Sequence, residues 1–80
     1  MDIERAMHFY ELSKKKQALM LLQKALALDG KWTAISINDA GTTVTVKELE
    51  GGVTKKVNVN MDNIPAMLYD VLKQARDILF

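Results

Sequence analysis

His8 is the one histidine of this chain, with Glu4 four residues before it and Glu11 three residues after it. On a helix these three side chains share a face. Such spacing suits a metal ion, and a symmetric dimer would double the ligands. The plainer reading is a surface histidine with local ion pairing. Nucleophilic catalysis would draw on Ser13 or Ser36, but such a serine needs a base beside it, and no spacing connects either to His8. Asp39, Glu48 and Glu50 are candidate acid–base carboxylates, yet they fall in or beside expected turns, where acids are common. Gly51-Gly52 lacks the spacing and the Gly-Lys-Ser/Thr ending of a phosphate loop, and no GxGxxG occurs. The expectation is a protein that is not an enzyme and holds no cofactor or metal; a small metal protein or enzyme is the remote alternative.

Two surfaces are better candidates for contact with another molecule. Trp32, Thr43, Thr45, Lys47, Lys56 and Asn58 alternate with apolar residues and so share one face of an expected sheet. An aromatic ring among lysines and amides is a surface on which single-stranded nucleic acid stacks. Lys14, Lys15 and Lys16 are a second set of phosphate contacts. The other candidate surface is apolar and lies in the first helix.

The elements that position these residues follow from period and composition. Residues 2–28 contain no Gly, Pro or Val and are rich in Ala, Leu, Met, Lys, Glu and Gln, which predicts one long helix. Asp29-Gly30 ends it, with Gly30 in the left-handed position. The pattern then changes to period two. Strands are expected at about 31–38, 42–49 and 53–60, separated by Asp39-Ala40-Gly41 and Gly51-Gly52. Val53, Val57 and Val59 fall on one face, as does Lys55, which sits close enough to a turn to reach water. Asp62 or Asn63 caps a last helix over 63–79, and Pro65 is tolerated in its first turn. The fold class is α+β: one domain of order α-β-β-β-α, a three-stranded antiparallel meander with both helices on its apolar face.

The first helix contains a conflict. Leu19, Leu21, Leu22, Leu26 and Leu28, with Ala18 and Ala25, span about 180° of its surface at 100° per residue. Ile3, Met7 and Tyr10 fall on the same arc, but so do Glu11, Lys14 and Lys15. A 27-residue helix is about 40 Å long, whereas an eight-residue strand spans about 27 Å. A continuous helix that leaves its sheet near Glu11–Lys16 would place the lysines in water. It is expected over a break at Ser13, because lysines in a first turn oppose the helix dipole. Ile3, Met7, Phe9 and Tyr10 then lie beyond their own core, and Met20 adds apolar surface on another side. Self-association through these residues is the expectation, a homodimer first among homo-oligomers, with an unidentified protein partner also compatible.

Composition is consistent with this. Eighty residues with no cysteine have no disulfide to stabilise a small core. Oligomerisation is one of the remaining routes. A net charge of +1, spread along the chain, gives no strong footprint for nucleic acid or anionic lipid. No apolar run approaches the roughly 18–20 residues of a membrane span, and Asp2 and Glu4 are wrong for a signal peptide; a cytoplasmic protein is expected.

The order α-β-β-β-α resembles that of double-stranded-RNA-binding domains, which would imply RNA as partner. Those domains carry a histidine between the first two strands, where this chain has Asp39-Ala40-Gly41. They carry lysines at the start of the last helix, where it reads Asp62-Asn63-Ile64-Pro65-Ala66-Met67. The resemblance is one of order, and no site residue carries over from it.

Overall fold

Helix formers run unbroken from Ile3 to Leu28, and in the computed structural model, which describes residues 3–80, they form one continuous helix, α1 (Ile3–Leu28). There is no break at Ser13. The start expected at Asp2 lies outside the described residues. Gly30, at φ +78°, closes the helix as anticipated. The Lys31 N–H donates to the Leu26 carbonyl and the Gly30 N–H to the Ala27 carbonyl, which satisfies two end carbonyls in a Schellman arrangement.

Three antiparallel strands follow in the order β1 (Thr33–Ile37), β2 (Thr43–Glu48) and β3 (Thr54–Asn58). Pairing is shorter at both ends than the alternating sequence suggests. Val53 precedes β3 and is exposed, not part of the apolar face, whereas Val59 is buried just beyond it. The register places Ile37, Val44 and Val57 in one cross-strand row, and Ile35, Val46 and Lys55 in the next. Asn38 ties the β1–β2 turn: its Oδ1 accepts from the N–H groups of Thr42 and Thr43, and its Nδ2 donates to the Thr42 hydroxyl. The Ile35 N–H donates to Gln23 Oε1 of α1 at 2.8 Å.

The expected last helix is two. Asn63, not Asp62, caps α2 (Ile64–Gln74) by accepting from the Ala66 N–H, with Pro65 in the first turn. At Ala75 the backbone leaves helical angles (φ −98°, ψ 15°), and α3 (Arg76–Leu79) follows. Backbone bonds from Ala75 to Val71 and from Leu79 to Ala75 continue across the junction. Val71, Ala75 and Leu79 therefore all stay buried. Lys55, on the apolar face, meets Asp77 of α3 at 3.8 Å.

α1 lies over β1 and α2 over β3, side by side on one face of the sheet. Leu19 and Leu26 of α1 join Val44, Val46, Val57 and Val59, with Met67 and Val71 of α2, in the core. The buried stripe of α1 is Leu12, Leu19 and Leu26, flanked by half-buried Ala18 and Leu22. This corrects the expected arc. Leu21, Ala25 and Leu28 face solvent instead, the two leucines at 67% and 92% exposed.

Candidate interaction surface

The groups with catalytic potential are dispersed. His8 Nε2 lies 3.0 Å from the Asp39 carbonyl oxygen, so the ring joins α1 to the β1–β2 turn across 31 residues. A His8 N–H donating to that carbonyl leaves Nδ1 as the ring's acceptor. Gly41 sits beneath this contact, its missing Cβ 3.8 Å from both His8 Cε1 and Leu12 Cδ1. Asp39 is at one end of β2, while Glu48 and Glu50 are at the other, so these carboxylates do not converge. Glu48 instead folds over Gly51, where a Cβ would lie 3.0 Å from its Oε1. Among the described residues no three His, Cys, Asp or Glu side chains form a group able to hold a metal ion.

The sheet face away from the helices carries the polar residues that alternation placed there. Ser36, Thr45 and Lys56 form one row, Ala34, Lys47 and Thr54 the next, and Thr43 pairs with Asn58. Trp32 precedes β1 by one residue and is exposed. Lys47 and Lys56 lie on different rows, so their charges are staggered.

The first turns of α1 make the other surface. The sheet reaches as far along the helix as His8 and Leu12, one turn further than anticipated, because the β1–β2 turn packs there. Ile3 and Met7 lie beyond it, Phe9 and Tyr10 beside it on other faces of the helix, and all four are more than 60% exposed. Ile3, Ala6, Met7 and Tyr10 line a shallow, open apolar cleft along one side of the helix. Phe9 points to a neighbouring face, its ring 6.0 Å from that of His8. Met20 lies elsewhere, in a groove between α1 and β1 lined by Leu19, Gln23 and Ile35. The five residues nominated for self-association are therefore not one patch: three share a cleft, and two lie on other faces.

The lysine triplet is only partly solvated. Lys16 is exposed, but Lys14 and Lys15 are half-buried. The Lys14 ammonium lies over the Tyr10 ring, 4.2 Å from its centroid, a cation–π contact. Lys15 occupies the core stripe between Leu12 and Leu19, near enough for its charge to act on the carboxyl of Asp62. That carboxyl is held above the ordinary range by a hydrogen bond with Asp70, then by burial and by the charge of Asp70, while Lys15 pulls it down. Asp62 Oδ2 is buried with no donor facing it.

Two exposed positions escaped the sequence reading. Leu21 and Leu28, on the arc expected to face the core, continue the exposed face of Ile3, Met7 and Tyr10. The signal was their alternating spacing of four and three residues, on the opposite side from Leu12, Leu19 and Leu26. No family model, curated protein or solved structure matches the chain. No helix among the described residues is long and apolar enough to cross a membrane.

Proposed function

We propose that this protein is a small non-enzymatic interaction module that works by self-association, as a homodimer in its simplest form. The observation that carries this reading is the apolar cleft of Ile3, Ala6, Met7 and Tyr10, which opens on the side of α1 opposite its buried stripe and begins on turns that project past the sheet. These turns contribute little to their own core, yet four large apolar side chains are kept there. Exposed apolar patches of this kind mark contact surfaces. The small size of the chain and its lack of disulfides make added burial through association valuable. The absence of cysteine also fits a reducing compartment such as the cytoplasm. The nucleic-acid alternative has weaker support: a single Trp and two staggered lysines are a sparse stacking and phosphate surface.

Sedimentation tests the reading. The wild-type chain is expected to be a dimer at tens of micromolar. Met7→Asp places a charge in the cleft and is expected to give a monomer with unchanged helix content, because Met7 is exposed in the single chain. A wild-type monomer at high micromolar concentration would overturn the proposal.

A further inference from the structure

We infer that the occupant of this surface is a second copy of the chain, docked antiparallel along the whole outer face of α1. The inference rests on the self-association reading and adds its geometry. Ile3, Met7, Tyr10, Leu21 and Leu28 fall on one strip of α1, opposite the buried stripe of Leu12, Leu19 and Leu26. Their spacing, completed by Lys14, Gln17 and Lys24, alternates four and three residues without interruption from Ile3 to Leu28. That is the repeat of a two-helix seam, in which each side chain inserts among those of the facing helix. α1 thus carries two seams, one used inside the domain and one left outside.

The order of residues along the outer seam selects the direction. An antiparallel pair brings together positions equally distant from the middle of the strip, between Lys14 and Gln17. Ile3 then meets Leu28 of the second copy, Tyr10 meets its Leu21, and Met7 meets the aliphatic stem of its Lys24. At the axis Lys14 faces Gln17. A parallel pair would set Lys14 against Lys14 and Lys24 against Lys24, which like charges disfavour, whereas the antiparallel pair parts the two Lys24 and leaves only the two Lys14 within about a turn of each other. The antiparallel pair instead brings Lys24 within about a turn of Glu4 of the second copy. One flank carries Ala6, Ser13 and Ala27 with the larger Met20 among them, and the other carries Ala18 and Ala25 after Glu4 and Glu11, so close approach is easiest at the small residues. The contact would run about 39 Å. Over that length, two helices with large apolar residues at both ends can approach the roughly 800 Å² per partner typical of specific dimers.

The chain has no native cysteine, so introduced ones report neighbours cleanly. Tyr10→Cys and Leu21→Cys, each oxidised alone, are expected to stay unlinked. Mixed and oxidised, they are expected to give a covalent dimer joining one of each. Leu28→Asp, at the far end of α1 from Ile3, is expected to weaken dimerisation at least tenfold with unchanged circular dichroism. A dimer that links Tyr10→Cys to itself, or that tolerates Leu28→Asp, would overturn the antiparallel seam and leave self-association standing. A wild-type chain that is monomeric overturns both.

Discussion

Single side chains show where this fold tolerates conflict. Lys15 interrupts the buried stripe of α1 between Leu12 and Leu19, and its charge acts on Asp62, whose carboxyl lies near that of Asp70. Three charges thus meet at the edge of the core, two of them alike. The sign of the effect on stability follows from the direction of the Asp62 shift. A carboxyl whose value is raised in the folded state binds its proton more tightly there than in the unfolded chain. Its favourable contribution is fully present below its ordinary value of 3.8 and is lost as pH rises through the raised folded value. At neutral pH the charged Asp62 therefore opposes folding on balance, even with Lys15 nearby. Asp62→Asn is expected to raise the urea midpoint at pH 7, with the gain shrinking toward zero below pH 3.8. A variant less stable than wild type at pH 7 would show that the Lys15 attraction prevails.

Within the elements, α1 carries apolar residues on opposite sides, and burial alone separates them. Leu19 is closed off in the core, while Leu21, two positions later, faces solvent. Leu19→Ala is expected to cost about 2–5 kcal/mol. Leu21→Ala, measured at protein concentrations low enough to keep the chain monomeric, is expected to stay within about 0.5 kcal/mol. Chemical denaturation of the two variants checks the assignment, and equal losses would contradict it. This is also where sequence reading reached its limit. Helix formers without Gly or Pro, the left-handed Gly30, strict alternation around Val44 and Val46, and a cap beside Pro65 each follow from a local rule, and these features made the element order legible. Which stripe of α1 turns inward does not follow from α1 alone. Its two apolar sides nearly cancel, and the inward one is marked by contacts far apart in sequence: Leu19 and Leu26 against the sheet and α2, and His8 on the Asp39 carbonyl. The change of pitch at Ala75 carries no Gly or Pro to announce it. Of the candidate site, Ile3, Met7 and Tyr10 were legible as displaced from the core, but Leu21 and Leu28 were lost to it by the same cancellation.

The molecule as a whole is a short slab crossed by a long rod. Its radius of gyration over the described residues is 13.0 Å, above the roughly 11.6 Å of a compact 80-residue domain. The longest extent is 43 Å against 20 Å in the other directions, and α1, about 39 Å long, accounts for it. Such a shape offers the rod for association, and one contact hinders the slab from competing. The Trp32 carbonyl and the Asn38 N–H face β2, so the alternate residues Thr33, Ile35 and Ile37 turn their backbone groups outward along a free edge. Gln23 reaches down from α1 and takes the middle N–H, that of Ile35. An incoming strand would have to displace this amide before it could zip onto β1. Gln23 therefore occupies an outward donor of this edge, at a position where its loss is expected to cost only about 0.5–1.5 kcal/mol of folding stability. Gln23→Ala is expected to fold, yet to nucleate thioflavin-binding fibres sooner than wild type at equal concentration. Identical lag times would show that the edge is protected by other means.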